Sequence, residues 1–130
     1  MTRYLILGLV LLLVACDSDV KSHYVTIEDA RRDGLFERGW LPDVLPPSAR
    51  DIDVSNNLDI NTSAGDFKFN PAEYQLLVSK LRPKTAVTEM TDRGSYREYE
   101  YSEEGYRWVF SCSETKGHCQ YEMGPSRNDG

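Results

Sequence analysis

Tyr106-Arg107-Trp108-Val109-Phe110-Ser111-Cys112 and Cys119-Gln120-Tyr121-Glu122-Met123 are the two runs whose reading decides the fold. Large apolar residues occupy alternate positions in both, the period of a half-buried strand. The segment between them closes on a four-residue loop, Glu114-Thr115-Lys116-Gly117. That loop pairs Ser113 with His118 and sets Cys112 directly opposite Cys119. The same register brings Phe110 against Tyr121 and Trp108 against Met123, so all six residues share one face. Opposed residues in antiparallel strands lie ~4.5–5.5 Å apart, within reach of a disulfide.

Upstream, the period stays at two. Tyr96 to Ser102 reads as the partner strand of Tyr106 to Cys112, in a hairpin around Glu103-Glu104. Pairing Tyr101 with Tyr106 and Tyr99 with Trp108 makes aromatic cross-strand contacts that hold a register. Thr85 to Met90 reads as a further strand, with Asp92-Arg93-Gly94 as the turn after it. Tyr96, Tyr99, Tyr101, Tyr106 and Tyr121 could form a binding surface. Aromatic packing across one face of a small sheet is the reading preferred here.

Before Pro83 the period is helical. Asn70-Pro71-Ala72-Glu73 combines an N-cap, a proline at the first helical position and a glutamate placed for a capping box. Tyr74, Leu77, Val78 and Leu81 then form one apolar stripe, which a sheet would cover. A shorter helix is expected from Ile27 to about Arg32, capped by the Thr26 hydroxyl and ended near Gly34. Between them, Ala49 to Val54 alternates as a strand and Asn56-Asn57 signals a turn. Leu58 and Ile60 are then expected to face Phe69 and Phe67 across Thr62-Ser63-Ala64-Gly65. Gly39 to Pro47 carries three prolines, so it reads as a helical turn and an extended linker. Trp40 and Leu41 are expected inside, the alternative being an exposed apolar docking surface. The fold class is α+β: an antiparallel sheet of six or seven strands packed against two short helices, with one disulfide.

The first residues carry a different message. Arg3 and the amino terminus give a positive start, and an apolar run from Tyr4 to Ala15 follows. Twelve residues make ~18 Å of helix, short of the ~20 residues that cross ~30 Å of hydrocarbon. The layout is that of a secretory signal. Its end, Leu13-Val14-Ala15-Cys16, resembles the lipobox of bacterial lipoproteins. The resemblance implies cleavage before Cys16 and acylation of Cys16, and two or three acyl chains make an anchor durable. An aspartate at position 17 resembles the signal that keeps such lipoproteins in the inner membrane, with the domain facing the periplasm. Residues 1–15 are therefore expected as signal peptide and 16–25 as a lipidated polar tether. Residues 26–123 are expected as one periplasmic domain, and 124–130 as a loose tail.

Removing residues 1–15 takes Arg3, leaving 14 basic against 21 acidic side chains, a net charge near −7. An acidic surface is a poor partner for nucleic acid, which needs clustered Lys and Arg, and suits a basic protein. With Cys16 committed to lipid, Cys112 and Cys119 remain, and in an oxidising compartment they are expected to pair. A metal would need further ligands, and the two histidines, His23 and His118, are read in the tether and in a turn. Asp59 to Asp66 faintly resembles a calcium loop, but Ala64 and Asn70 stand where glycine and glutamate are required. No nucleophile elbow is present. No catalytic residue, metal or cofactor is expected. Two function classes follow: a non-catalytic envelope lipoprotein that binds a protein partner, and an inhibitor or immunity-type protein that blocks a basic hydrolase.

Overall fold

The computed structural model describes residues 19–84 and 96–126. Cys16 and Asp17, the strand expected at 85–90, the turn at 92–94 and most of the expected tail lie outside them. Among the described residues, seven strands form one antiparallel sheet: β1 (Asp19–Thr26), β2 (Arg50–Asn57), β3 (Thr62–Lys68), β4 (Arg82–Pro83), β5 (Arg97–Glu103), β6 (Tyr106–Ser113) and β7 (His118–Pro125). Their order across the sheet is β1-β2-β3-β7-β6-β5-β4. Two short helices, α1 (Ile27–Arg32) and α2 (Tyr74–Val78), and the segment between α1 and β2 supply the second layer.

The β6–β7 hairpin has the expected register throughout, with Cys112 opposite Cys119, Phe110 opposite Tyr121 and Trp108 opposite Met123. Cys112 and Cys119 are disulfide-bonded. Strand β7 runs two residues into the expected tail. The β5–β6 register differs by two residues: Glu103 faces Tyr106, Tyr101 faces Trp108 and Tyr99 faces Phe110. The cause is the turn. Glu104 and Gly105 both have positive φ, 50° and 85°, which closes the hairpin with two residues instead of four. A shift of two keeps every side chain on its expected face.

The tether reading of residues 19–25 is corrected. They form β1, an edge strand paired with β2 from Asp19 opposite Asn57 to Thr26 opposite Arg50. Its composition is polar because only Tyr24 is buried, and an edge strand satisfies half its backbone on one neighbour. The Tyr24 hydroxyl donates to Asp33 Oδ2 at 2.5 Å, tying β1 to the end of α1. The first hairpin is also corrected. A single strand runs to Asn57, and residues 58–61 are its turn, so Asn57 faces Thr62. The Asn57 side-chain carbonyl accepts from the Asp59 and Ile60 amides at 3.0 and 3.3 Å. That local turn wins over strand continuation, and Leu58 and Ile60 are left exposed.

One face of the sheet meets Ile27 and Ala30 of α1, Tyr74 and Leu77 of α2, and Leu35, Leu41, Val44 and Leu45 between the helices, all buried. Thr26 caps α1 by accepting from the Asp29 amide at 3.2 Å. The second helix is shorter than its sequence pattern. A 3₁₀ turn spans Pro71–Glu73, and α2 ends before Ser79, whose hydroxyl donates to the Leu76 carbonyl. Asn70 caps the turn through the Ala72 amide at 3.0 Å. Glu73 does not reach back to Asn70 as a capping box requires. Instead it accepts from the Ser48 amide at 2.9 Å, while Ser48 Oγ accepts from the Asn70 amide at 2.8 Å. The two bonds bind the helix start to the linker before β2.

Reducing the disulfide should remove about 2–3 kcal/mol on chain-entropy grounds and lower the melting temperature without abolishing the fold. Free thiols at Cys112 and Cys119 in non-reducing peptide maps would contradict the bridge. Ser48→Ala should cost about 1 kcal/mol, comparable with Asn70→Ala, because each strands a donor at the same helix start. Urea unfolding of both variants measures this.

Candidate binding cleft

Two segments with no sequence relation meet at one end of the helix-covered face. The stretch after α1 brings Phe36, Glu37, Arg38, Gly39 and Trp40; the β5–β6 hairpin brings Glu103, Glu104, Tyr106 and Trp108. Asn61 and Met123 complete the lining of a cleft of about 370 Å³. Ligand pockets run from roughly 300 to 1,000 Å³. Buried Trp108 and Met123 sit low in it, and half-buried Phe36, Trp40 and Tyr106 border them. Trp108 Nε1 donates to the Trp40 carbonyl at 3.0 Å, holding the linker against β6. Tyr101 packs on Trp108 with ring centroids 5.9 Å apart.

Three carboxylates line this cleft against one guanidinium. Arg38 itself points toward Asp33, 3.4 Å away. The Tyr101 hydroxyl donates to Glu103 at 3.3 Å. Burial and then the Glu103 charge push its pKa above the ordinary phenol value. The rings accept cations: the Arg31 guanidinium lies 5.0 Å from the centre of the Phe36 ring. Arg31 is also clamped by both oxygens of Asp43, at 3.0 and 2.9 Å, and that hydrogen-bonded pairing lowers the Asp43 pKa. An apolar aromatic floor with an acidic rim suits a basic or aromatic side chain of a protein partner.

The opposite face of the sheet is polar. There both histidines stand in strands, against the reading of one in a tether and the other in a turn. His23 Nδ1 donates to Asp53 Oδ1 at 2.7 Å, and His118 Nε2 donates to Asp66 Oδ2 at 2.8 Å. His118 Nδ1 lies 3.1 Å from the Tyr96 hydroxyl. Asp53 and Asp66 are neighbours in the β2–β3 register. A carboxylate-oriented histidine is one part of a base, yet the cleft lies on the other side of the sheet. These pairs clasp strands: β1 to β2, β3 to β7, and β7 to Tyr96. Among the described residues no group of three or more His, Cys, Asp or Glu is placed to hold a metal.

Of the sequence-predicted residues, Cys112 and Cys119 come together under the core, away from the cleft lining. Leu41 is fully buried as expected, and Trp40 is half-buried at the cleft. The tyrosines divide. Tyr99 and Tyr121 belong to the core, Tyr99 bonding the Tyr74 hydroxyl at 2.6 Å and Tyr121 bonding Ser63 at 3.1 Å. Tyr121 is pushed up to about 12 by burial. The cleft itself was missed. Its only sequence signal was the pair of tryptophans, both of which line it.

A family model described as the YbbD head domain matches residues 19–68, less than half of the chain. Those limits coincide with the first residue of β1 and the last of β3. No curated protein and no solved structure matches the chain.

Glu103→Gln should lower the Tyr101 pKa toward 10, since a neutral amide no longer opposes the phenolate. A raised folded-state phenol pKa leaves stability intact below about pH 10 and erodes it as pH rises further. An ultraviolet tyrosinate titration of the variant against the parent protein reads the shift.

Proposed function

We propose that this chain is a lipid-anchored protein of the bacterial envelope whose domain binds another protein and performs no catalysis. The leader and the lipobox-like Leu13-Val14-Ala15-Cys16 support the anchor. Asp17 favours the inner membrane over the outer, with the domain on the periplasmic side.

The observation that carries the binding role is the position of the cleft. Strand β1 enters the sheet at Asp19 opposite Asn57, beside the turn that contributes Asn61 to the cleft. Asp19 lies three residues beyond Cys16, a reach of ~10 Å fully extended. A cleft at the anchored end of the domain suits a partner that is itself held at the bilayer. Its acidic rim, on a chain of net charge −6, selects a basic surface on that partner. The inhibitor or immunity-type reading draws on the same acidic rim, which would meet a basic hydrolase. A soluble hydrolase would have to approach the cleft along the membrane, and this ranks the inhibitor reading second.

Metabolic labelling with a fatty-acid analogue should mark the parent protein and leave Cys16→Ser unmarked; a labelled Cys16→Ser protein would remove the anchor. Affinity capture from solubilised envelope should recover a stoichiometric membrane complex that Trp40→Ala weakens. Inhibition of a cationic lysozyme-like enzyme, with no membrane complex recovered, would favour the second reading instead.

A further inference from the structure

Resting on the reading of Cys16 as the lipid anchor, we infer that the β2–β3 turn, residues 58–61, inserts Leu58 and Ile60 into the interface of the same membrane. Leu58 is 57% exposed and Ile60 62% exposed, although both are large and apolar. Single exposed apolar residues are ordinary on a protein surface; here the argument is their placement. Strand β1 begins at Asp19, whose register partner is Asn57, the residue just before Leu58. The chain therefore leaves the sheet toward the anchor immediately beside this turn. With two residues between Cys16 and Asp19, the anchored end of the sheet stays within ~10 Å of the Cys16 backbone. The turn that shares that end has no longer distance to travel.

The turn is built to project. Asn57 accepts from the Asp59 and Ile60 amides, which satisfies the tip's backbone internally and frees the side chains from the core. Val20, 49% exposed, lies next in line on β1, opposite Asn56. The other exposed large apolar side chains among the described residues lie elsewhere: Val25 at the far end of β1, and Leu76 on α2. Helix α2 is pinned at Ser48 and Asn70, at the opposite end of the sheet. Apolar side chains that enter ~5–10 Å into the boundary between headgroups and acyl chains add to the hold of covalent lipid. They would also fix the domain's tilt, and so the direction in which the cleft opens.

The test uses the full-length lipidated protein carrying Ile60→Cys, tagged with a nitrobenzoxadiazole fluorophore, in phosphatidylethanolamine–phosphatidylglycerol vesicles. Leu76→Cys with the same tag is the reference. Both sites are exposed, so neither change disturbs the core, and thermal melts verify this. Protein that floats with the vesicles should show several-fold stronger quenching by nitroxide phospholipids at position 60 than at position 76. Flotation with equal quenching at both positions overturns the insertion and leaves the anchor standing. A shielded probe at position 60 that lipid nitroxides do not quench, and that loses its shielding on dilution, overturns it in favour of a second copy of the chain. Failure to float removes the anchor and the insertion together.

Discussion

Everything in this fold depends on one ladder, between β3 and β7. Strands β1, β2 and β3 form a meander from the first half of the chain, and β5, β6 and β7 form another from the second. Only the pairing of Ser63 to Lys68 with Met123 to His118 makes them one sheet. The ladder needs Gly65. A Cβ there would come within 2.0 Å of the Asp53 carbonyl oxygen and 3.0 Å of the Tyr121 ring. With the Cβ absent, β2 and β3 close tightly and the Tyr121 ring lies across the backbone, its hydroxyl bonded to Ser63 on the same strand. The ladder is reinforced on the polar face by His118 and Asp66, and on the core face by Phe67 beside the disulfide.

Joining the two meanders creates both the core and the cleft. The core is the face onto which α1, α2 and the proline-rich linker fold, with aromatic rings running from Phe69 through Phe67 to Phe110 and Tyr121. The linker follows α1 closely, because Arg31 holds Asp43 and Trp108 holds the Trp40 carbonyl. It cannot cover the whole face, and the uncovered end becomes a cleft floored by Trp108 and Met123. That end also receives β1, which begins at Asp19 opposite Asn57. One topological fact, the entry of β1 beside the β2–β3 turn, therefore places the proposed binding surface near the proposed membrane contact.

The parts legible in the sequence were those governed by short-range chemistry. The β6–β7 register could be read because a glycine-containing loop and two cysteines counted off the same pairing from opposite ends. The caps at Thr26 and Asn70 could be read because a single side chain satisfies a neighbouring amide. Where two local rules competed, the reading slipped. Glu104-Gly105 closed a tighter turn than Glu103-Glu104, and the strand ran through the turn signal at Asn56-Asn57 to turn at 58–61, where the alternation of Leu58 and Ile60 suggested a further strand. Residues 19–25 were illegible as a strand because an edge strand with one buried anchor, Tyr24, needs no hydrophobic pattern.

The sequence by itself determined the class of the protein: an α+β sheet with a disulfide-closed hairpin, capped helices and an acidic balance. Each of these follows from residues close together in the chain. Only the tertiary structure decided that β3 lies beside β7, that Ser48 replaces Asn70 as the reciprocal partner of Glu73, and that Trp40 meets Trp108. Those contacts join residues 25 to 68 positions apart, and periodicity carries no information over such separations. They arise because one face of a seven-stranded sheet must be covered by whatever apolar chain remains, and the cleft is where that chain runs out.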